Sequence, residues 1–566
     1  MHIKTDNYSG RPTLRGRRLK WRNGPFHAHD PLAAWHGLLE LRGIDAESGF
    51  FAPRLADLPD PDDMRDMVRA AERLTQAIID HEAVHIFGDF DCDGVCGAAI
   101  LADFLRQVGL QVSVSIPHRA NDGHGIDRRN IEEAHAAGAR LGISVDTGIS
   151  DGLAAKQAKR LGFDLIITDH HLPGEYLPEA YTILNPSRSD CGFAEGLLCG
   201  SGVAFFLLMS TWRRLRETGV RTPDLRSALD RVAIATVADV MSLTGVNRIL
   251  VHHGLKQLNA SPSAGIAALL KKGRRNGLIT VQDIGFQIAP RINAAGRMDH
   301  GKQAMRLLCC QDAHEAESLA GELDELNRQR QAVERKTLSM VETKLKEQAS
   351  DALAVYDPSW HAGVVGLVAG RLSRKYGRPA AIGFVEPDGN IRVSLRGAGG
   401  FHVGNLLEAC AQYLVNYGGH AGAGGATLRP ELWGDFVRAL DRAIREQTSS
   451  PSSFCERLQI DGVLGPAAIH AGLVERLQWL QPFGEGNPES MWCIEGMKII
   501  HRQDMRGNAI RLLLMSGPVR LHAVVFGASD IESHLLPGAE RLFVGHLRFD
   551  DFRGDGRIQL IVEDVI

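Results

Sequence analysis

The sequence predicts a multidomain α/β protein: two α/β domains joined by a long helix, then an all-β domain. Three observations predict it. Between about residues 61 and 240, short apolar β-branched runs alternate with helix-periodic segments. Residues 311–348 make one polar, helix-compatible stretch with a thin apolar seam. Beyond EQTSSPSS at 446–453, a linker by composition, the chain turns to strand-like runs separated by turn signals. At 566 residues the chain is too long for one core, so several domains are expected.

In chain order, residues 1–60 are Arg- and Pro-rich with weak periodicity, which predicts an arm and short helices. The basic run RPTLRGRRLKWR at 11–22 reads as a solvated or disordered surface. Residues 61–310 form the first α/β domain, with strands at AVHIFGDF, QVSVSIP, LGISVD and DLIITD and a helix at DGLAAKQAKRLG. That alternation predicts a doubly wound parallel sheet. Residues 311–349 are the connecting helix; Leu319, Leu323, Leu326, Val333 and Val341 supply its seam. Such a helix spans roughly 55 Å and suits a strut that holds two domains apart. Residues 350–447 are the second α/β domain. Residues 455–566 carry strands at WCIEGMKII, IRLLL, VRLHAVVF, RLFVGHLRF and RIQLIVEDV, a small barrel or sandwich.

Sixty-four Lys and Arg stand against 68 Asp and Glu, a formal charge of −4. That balance neither announces nucleic-acid binding nor excludes it, because a basic groove can coexist with an acidic exterior. The first residues, MHIKTDNYSG, lack the apolar centre of a signal peptide, and no apolar run approaches the ~18 residues of a membrane span. Nine cysteines without paired spacing suit reduced thiols, so a cytoplasmic location is expected.

The chemistry lies where strands end. GDFDCDG at 88–94 sets Asp89, Asp91 and Asp93 on alternate positions between a strand and a helix. Asp146 ends GISVD; Asp169 ends LIITD and precedes His170 and His171. In an open parallel sheet, ligands bind outside the carboxyl ends of the strands, so these five carboxylates and two imidazoles can converge. One strand-end Asp is usually a helix cap, but three coincident clusters point elsewhere. Crowded carboxylates are relieved by divalent cations, and His beside Asp suits Mn2+ better than Ca2+. The number of ligands exceeds the need of one ion that also binds substrate. A pair of cations, Mn2+ or Mg2+, and metal-assisted phosphoester hydrolysis are therefore expected.

ITDHH at 167–171 resembles the motif that names the DHH phosphoesterase superfamily, with GDFDCDG, SVDTG and ATVADVMSL (235–243) resembling its other motifs. From about residue 42 onward the chain is similar to the RecJ family of single-strand-specific exonucleases, through PSRSDCGFAEGLLCGSGVAF, FQIAPRINAAGRM, WHAGVVGLVAGRL, FGEGNPES and QLIVEDVI. The resemblance implies Asp91, Asp93, Asp146, His170 and Asp239 as metal ligands, Asp239 on that ground alone. It implies Asp89 and His171 beside them in catalysis, His171 by orienting or protonating near the scissile phosphate. It also makes the two α/β domains a DHH domain and a DHH-associated domain, and the last domain an OB-fold.

For substrate, YGGHAGAGGAT at 417–427 reads either as a flexible turn or close packing, or as a phosphate cradle of backbone N–H groups leading into a helix N-terminus. The resemblance favours the cradle, with Gly418, Gly419 and His420, and adds Arg396, His361, Arg291, Arg297 and Arg119 as strand contacts. Leu395 and Gly397 depart from the family's pattern around Arg396. Trp492, Phe526, Phe543, Phe549 and Phe552 are available for stacking in the OB-fold, although alternation puts several in the core.

The expected activity is thus hydrolysis of single-stranded DNA from the 5′ end to 5′-mononucleotides, in repair and recombination. A channel too narrow for duplex is expected between the domains, and a helicase and a single-strand binding protein are implied partners. Two rival readings stand beside it. One is a DHH phosphodiesterase for short oligonucleotides or small nucleotides, told apart by comparing a dinucleotide with a long strand. The other is a non-catalytic DNA-binding scaffold, against which stands the filled set of Asp and His positions.

Overall fold

The computed structural model describes residues 8–118, 125–273, 277–346, 351–398, 400–447, 457–550 and 556–566. Arg119, Phe552 and the linker from residue 448 onward lie outside them. The chain divides into two compact units: Pro53–Val333 with Pro482–Pro488, and Met1–Ala52 with Glu334–Gln481 and Glu489–Ile566.

The unit beginning at Pro53 is built on a five-stranded sheet in the order Val112–Ser115, Val84–Gly88, Leu141–Val145, Asp164–Thr168, Thr182–Leu184, every pair parallel. Val84–Gly88 and Leu141–Val145 are buried at every residue, as a sheet covered on both faces requires. Alternation divides their side chains. Ile86, Ile143 and Ile166 join a large apolar cluster with the helices Met67–Ile79, Cys92–Gln107 and Gly200–Glu217. Phe87, Leu165 and Ile167 join a second cluster with the helix Gly152–Leu161. The four expected strands are present. The fifth, Thr182–Leu184, is three residues long, too short for a periodic signal. Strand order reverses between Val84–Gly88 and Leu141–Val145, and at such a switch point the diverging connections leave a crevice.

The long helix runs Ala313–Leu345, 33 residues or about 50 Å. Leu319 and Leu323 sink into the core of the first unit, Val341 into an apolar cluster of the other. The division between the units falls within it, after Val333.

In the other unit a mixed sheet runs Asn416–Gly419, Ala423–Leu428, Ile391–Arg396, Ala380–Val385, Leu353–Tyr356, with only the last pair parallel. The strands Trp492–Met505, Ala509–Ser516, Val519–Phe526, Ile558–Val565 and Glu540–Phe549 close into a five-stranded barrel, because Trp492–Met505 pairs with both Ala509–Ser516 and Glu540–Phe549. This is an OB-fold. Trp492 and Phe543 are fully buried, whereas Phe526 is exposed.

The N-terminal segment departs from expectation. Arg18–Trp21 pairs in parallel with Arg457–Ile460, and His27–Ala28 with Gly462–Leu464. The basic run is only partly a solvated surface: Arg18 and Lys20 are exposed, but Arg17 Nε stands 2.7 Å from the fully buried Asp564 carboxylate, which also accepts a 2.7 Å hydrogen bond from Thr13. A buried carboxylate without such partners would cost several kcal/mol, roughly. Among the described residues, no helix is long and apolar enough to cross a membrane.

Candidate metal centre

Each strand of the switch point delivers a carboxylate. Val84–Gly88 leads into Asp89, and Asp91 caps the helix Cys92–Gln107 by accepting from the backbone N–H groups of Asp93 and Gly94. That cap explains the local fold, yet it engages only Oδ1. Leu141–Val145 leads into Asp146, whose φ of +61° lies in the left-handed region that few non-glycine residues adopt. Asp164–Thr168 leads into Asp169, His170 and His171. Asp239 caps the C-terminus of the helix Leu229–Ala238.

These groups converge. His170 Nε2 stands 3.0 Å from Asp146 Oδ1, 3.6 Å from Asp239 Oδ2 and 3.9 Å from Asp93 Oδ2. Three overlapping sets have ligand atoms mutually within 4.8 Å: Asp146 with His170 and His171; Asp93 with His170 and Asp239; Asp89 with Asp91 and Asp146. Sharing of Asp146 and His170 between sets is what a pair of bridged cations needs. Asp169, expected in the same cluster, takes a supporting position: it accepts from Ile149 N–H and from His171 Nδ1 at 2.8 Å, and so fixes the ring's orientation.

The electrostatics fit cations. Burial, then the charges of Asp93, Asp91, Asp89 and Asp169, push Asp146 well above the usual carboxylate range. Burial, then Asp93 and Asp91, push Asp239 up to about 8. His170 is pulled down by burial, leaving a neutral imidazole able to ligate. His171 is raised to about 9 by its hydrogen bond to Asp169. Asp146 Oδ1 is buried and has no hydrogen-bond partner among the described residues, although His170 Nε2 is near. A divalent cation would supply what that atom lacks.

Above about pH 3.9 the unfolded chain releases the Asp239 proton. The metal-free fold keeps that proton until about pH 8. The metal-free fold therefore loses stability as pH rises across that window. Mn2+ displaces the proton, so it is expected to raise Tm more at about pH 8 than at about pH 6. An equal rise at both would contradict the carboxylate ligation.

Sequence reasoning missed three supports. Asp93 is fully buried as a cap for the helix Gly200–Glu217, its two oxygens accepting from Gly200 N–H at 2.7 Å and Ser201 N–H at 2.8 Å. At Gly200 a Cβ would lie 2.7 Å from both Cα and Cβ of Asp146, so only glycine fits. Asn293 accepts from Cys92 N–H at 2.9 Å, docking the helix Ala289–Met298 on the acidic loop. CGSGVAF signals a helix start, but nothing in it names a neighbour 107 residues away.

The expected substrate residues are distributed. Arg297 lies on the docked helix Ala289–Met298. Arg291 shares that helix, but its Nε is held by Asp324 at 2.9 Å and its Nη1 by the Gln287 carbonyl. In the other unit, His361 caps the helix Ala362–Tyr376 through Nδ1. Arg396 ends the strand Ile391–Arg396, its guanidinium beside Gly366. The glycine-rich stretch is a β-hairpin rather than a loop entering a helix. Gly418 and Gly419 belong to its exposed strand. The carbonyls of His420 and Ala421 accept from Gly404 and Val403, filling the start of the helix Val403–Ala409. Gly419 is glycine for packing, since a Cβ would meet Gly424 Cα at 2.7 Å, whereas Gly418 faces open space.

Comparison with known proteins gives three family matches: the DHH family N-terminal domain over residues 83–236, the DHHA1 domain over 349–446 and the RecJ OB domain over 460–564. The chain is 34% identical to the single-stranded-DNA-specific exonuclease RecJ of Bacillus subtilis, over 94% of this chain and 68% of that one. It is 33% identical to the Escherichia coli RecJ, over 88% and 89%. Among solved structures it is similar to RecJ from Thermus thermophilus in complex with Mn2+, with a TM-score of 0.79 and 28% identity across 97% of this chain and 79% of that one. The Mg2+ complex gives a TM-score of 0.74 at 27% identity, across 97% and 78%.

Proposed function

The chain belongs to the RecJ family of DHH phosphoesterases, and from that premise we propose that it is a divalent-cation-dependent exonuclease of single-stranded DNA. It runs 5′ to 3′ and releases 5′-mononucleotides in DNA repair and recombination. The observation that carries this is His170 Nε2, standing within 3.0–3.9 Å of three carboxylates drawn from three separate turns. A site that only capped helices would have no use for a neutral imidazole there.

Asp89, Asp91, Asp93, Asp146, His170 and Asp239 would hold the ions. When bound, two such cations supply an activated water and neutralise charge on the phosphoryl oxygens. Asp169 holds His171 with a proton on Nδ1, and His171, protonated at neutral pH, gives a proton to the leaving 3′-oxygen. Asp93 is held stationary by the Gly200 and Ser201 N–H groups.

In one unit Arg297 and Arg291, and in the other Arg396, His361, Gly418, Gly419 and His420, make contacts to the strand's backbone; Arg119, outside the described residues, is a further contact. Phosphate-led binding of this kind weakens steeply with salt. Single-stranded substrate implies a helicase that produces it and a single-strand binding protein that shares it. A cytoplasmic setting is supported by eight free cysteines among the described residues.

The test is digestion of 5′- and 3′-end-labelled single strands beside duplex and a dinucleotide. Expected are mononucleotides from the 5′ end of single strands, resistant duplex, and no reaction after thorough chelation. Undiminished cleavage after chelation, or a dinucleotide hydrolysed faster than a long strand, would overturn it.

A further inference from the structure

A cluster of metal-binding side chains lies outside the centre just described. His27 sits in the short strand His27–Ala28, which pairs with Gly462–Leu464, which in turn pairs with the barrel strand Trp492–Met505. His29 follows two residues on, one residue beyond the end of that strand. The two ring centroids are 4.5 Å apart. From the barrel strand, Glu495 Oε1 reaches His27 Nε2 at 2.8 Å. One ligand atom from each of the three lies within 4.8 Å of the others.

We propose that His27, His29 and Glu495 form a Zn2+ site that fastens the N-terminal segment to the barrel. Two imidazoles and one carboxylate are a donor set suited to Zn2+, with one position left to water. Ligands around a tetrahedral Zn2+ stand about 3.4 Å apart, so a small closure of these side chains completes the site.

Two further features fit a metal. Tyr8, fully buried, donates its hydroxyl to Glu495 Oε2 at 3.0 Å, which turns Oε1 toward the imidazoles. His29 is exposed, yet it is seated: a Cβ on residue 465 would stand 2.7 Å from its Nδ1, so glycine makes the room for the ring. On either side its backbone is fixed, by Gly465 N–H donating to Ala28 and by Asp30 capping the helix Pro31–Arg42. No described residue hydrogen-bonds to the His29 ring, which leaves its nitrogens for an ion.

The experiment uses the full chain in excess Mg2+, with Zn2+ as probe. Equilibrium dialysis compares the Zn2+ retained by the wild type, His29→Ala and Glu495→Gln. Expected is one equivalent fewer in each variant, with single-strand hydrolysis in Mg2+ unchanged in His29→Ala as evidence of folding. Zn2+ is also expected to raise the Tm of the wild type more than that of His29→Ala. Equal equivalents in wild type and His29→Ala, or equal Tm shifts, would overturn the site.

Discussion

His170→Ala is expected to lower the rate of single-strand hydrolysis by about a thousandfold or more, a loss of about 4 kcal/mol of transition-state stabilisation. The reason is its place in the cluster: His170 belongs to two of the three overlapping ligand sets, so one substitution strips a donor from both. Burial already keeps the ring neutral, so its removal takes no charge from the fold. Asp91→Ala would be a less clean probe, because Asp91 also caps a helix, and losing a cap costs about 1 kcal/mol by itself. Strand binding, followed by fluorescence anisotropy, is expected to persist, since phosphate contacts lie on other residues. Mn2+-dependent cleavage at near wild-type rate in His170→Ala would refute the assignment.

Gly200→Ala should have the second-largest effect, although it touches no substrate. The added methyl would stand 2.7 Å from the Asp146 Cα, well inside contact distance, and backbone on both sides leaves no flexible side chain to yield. Overpacking of this kind costs about 1–3 kcal/mol. Asp146, already held at a left-handed φ, must move, and a displacement of about an ångström at a catalytic group costs about a hundredfold in rate. Gly200 N–H also holds Asp93, so the Mn2+ dependence should shift to higher concentration. Calorimetry and rates across a Mn2+ series would measure both. Wild-type Tm and rate in Gly200→Ala would show that the close approach is not required.

The reach of sequence reasoning differed between parts of this chain for physical reasons. The four main strands of the first sheet were legible because buried parallel strands are continuous apolar runs. The barrel strands were legible from their own runs and turn signals, but which strands close the barrel was not. The shape of the glycine-rich stretch was not legible, because glycine serves turns, phosphate cradles and tight strand pairing alike; here Gly419 meets Gly424 across a hairpin. Arg18–Trp21 and His27–Ala28 left no local trace, since their partners begin at Arg457 and Gly462.

By itself the sequence determined where the acids stand along the chain: at the ends of apolar strands, and so at one edge of a parallel sheet. Asp239 was the exception among the expected ligands, because a helix C-terminus carries no such positional meaning. Only the tertiary structure decided what the carboxylates do there: Asp93 and Asp146 in the cluster, Asp169 turned to hold His171, and Gly200 admitted against Asp146. Hydrophobic patterning specifies which face of an element is covered. Which atom meets which is set by packing between segments far apart in the chain, and no local pattern encodes it.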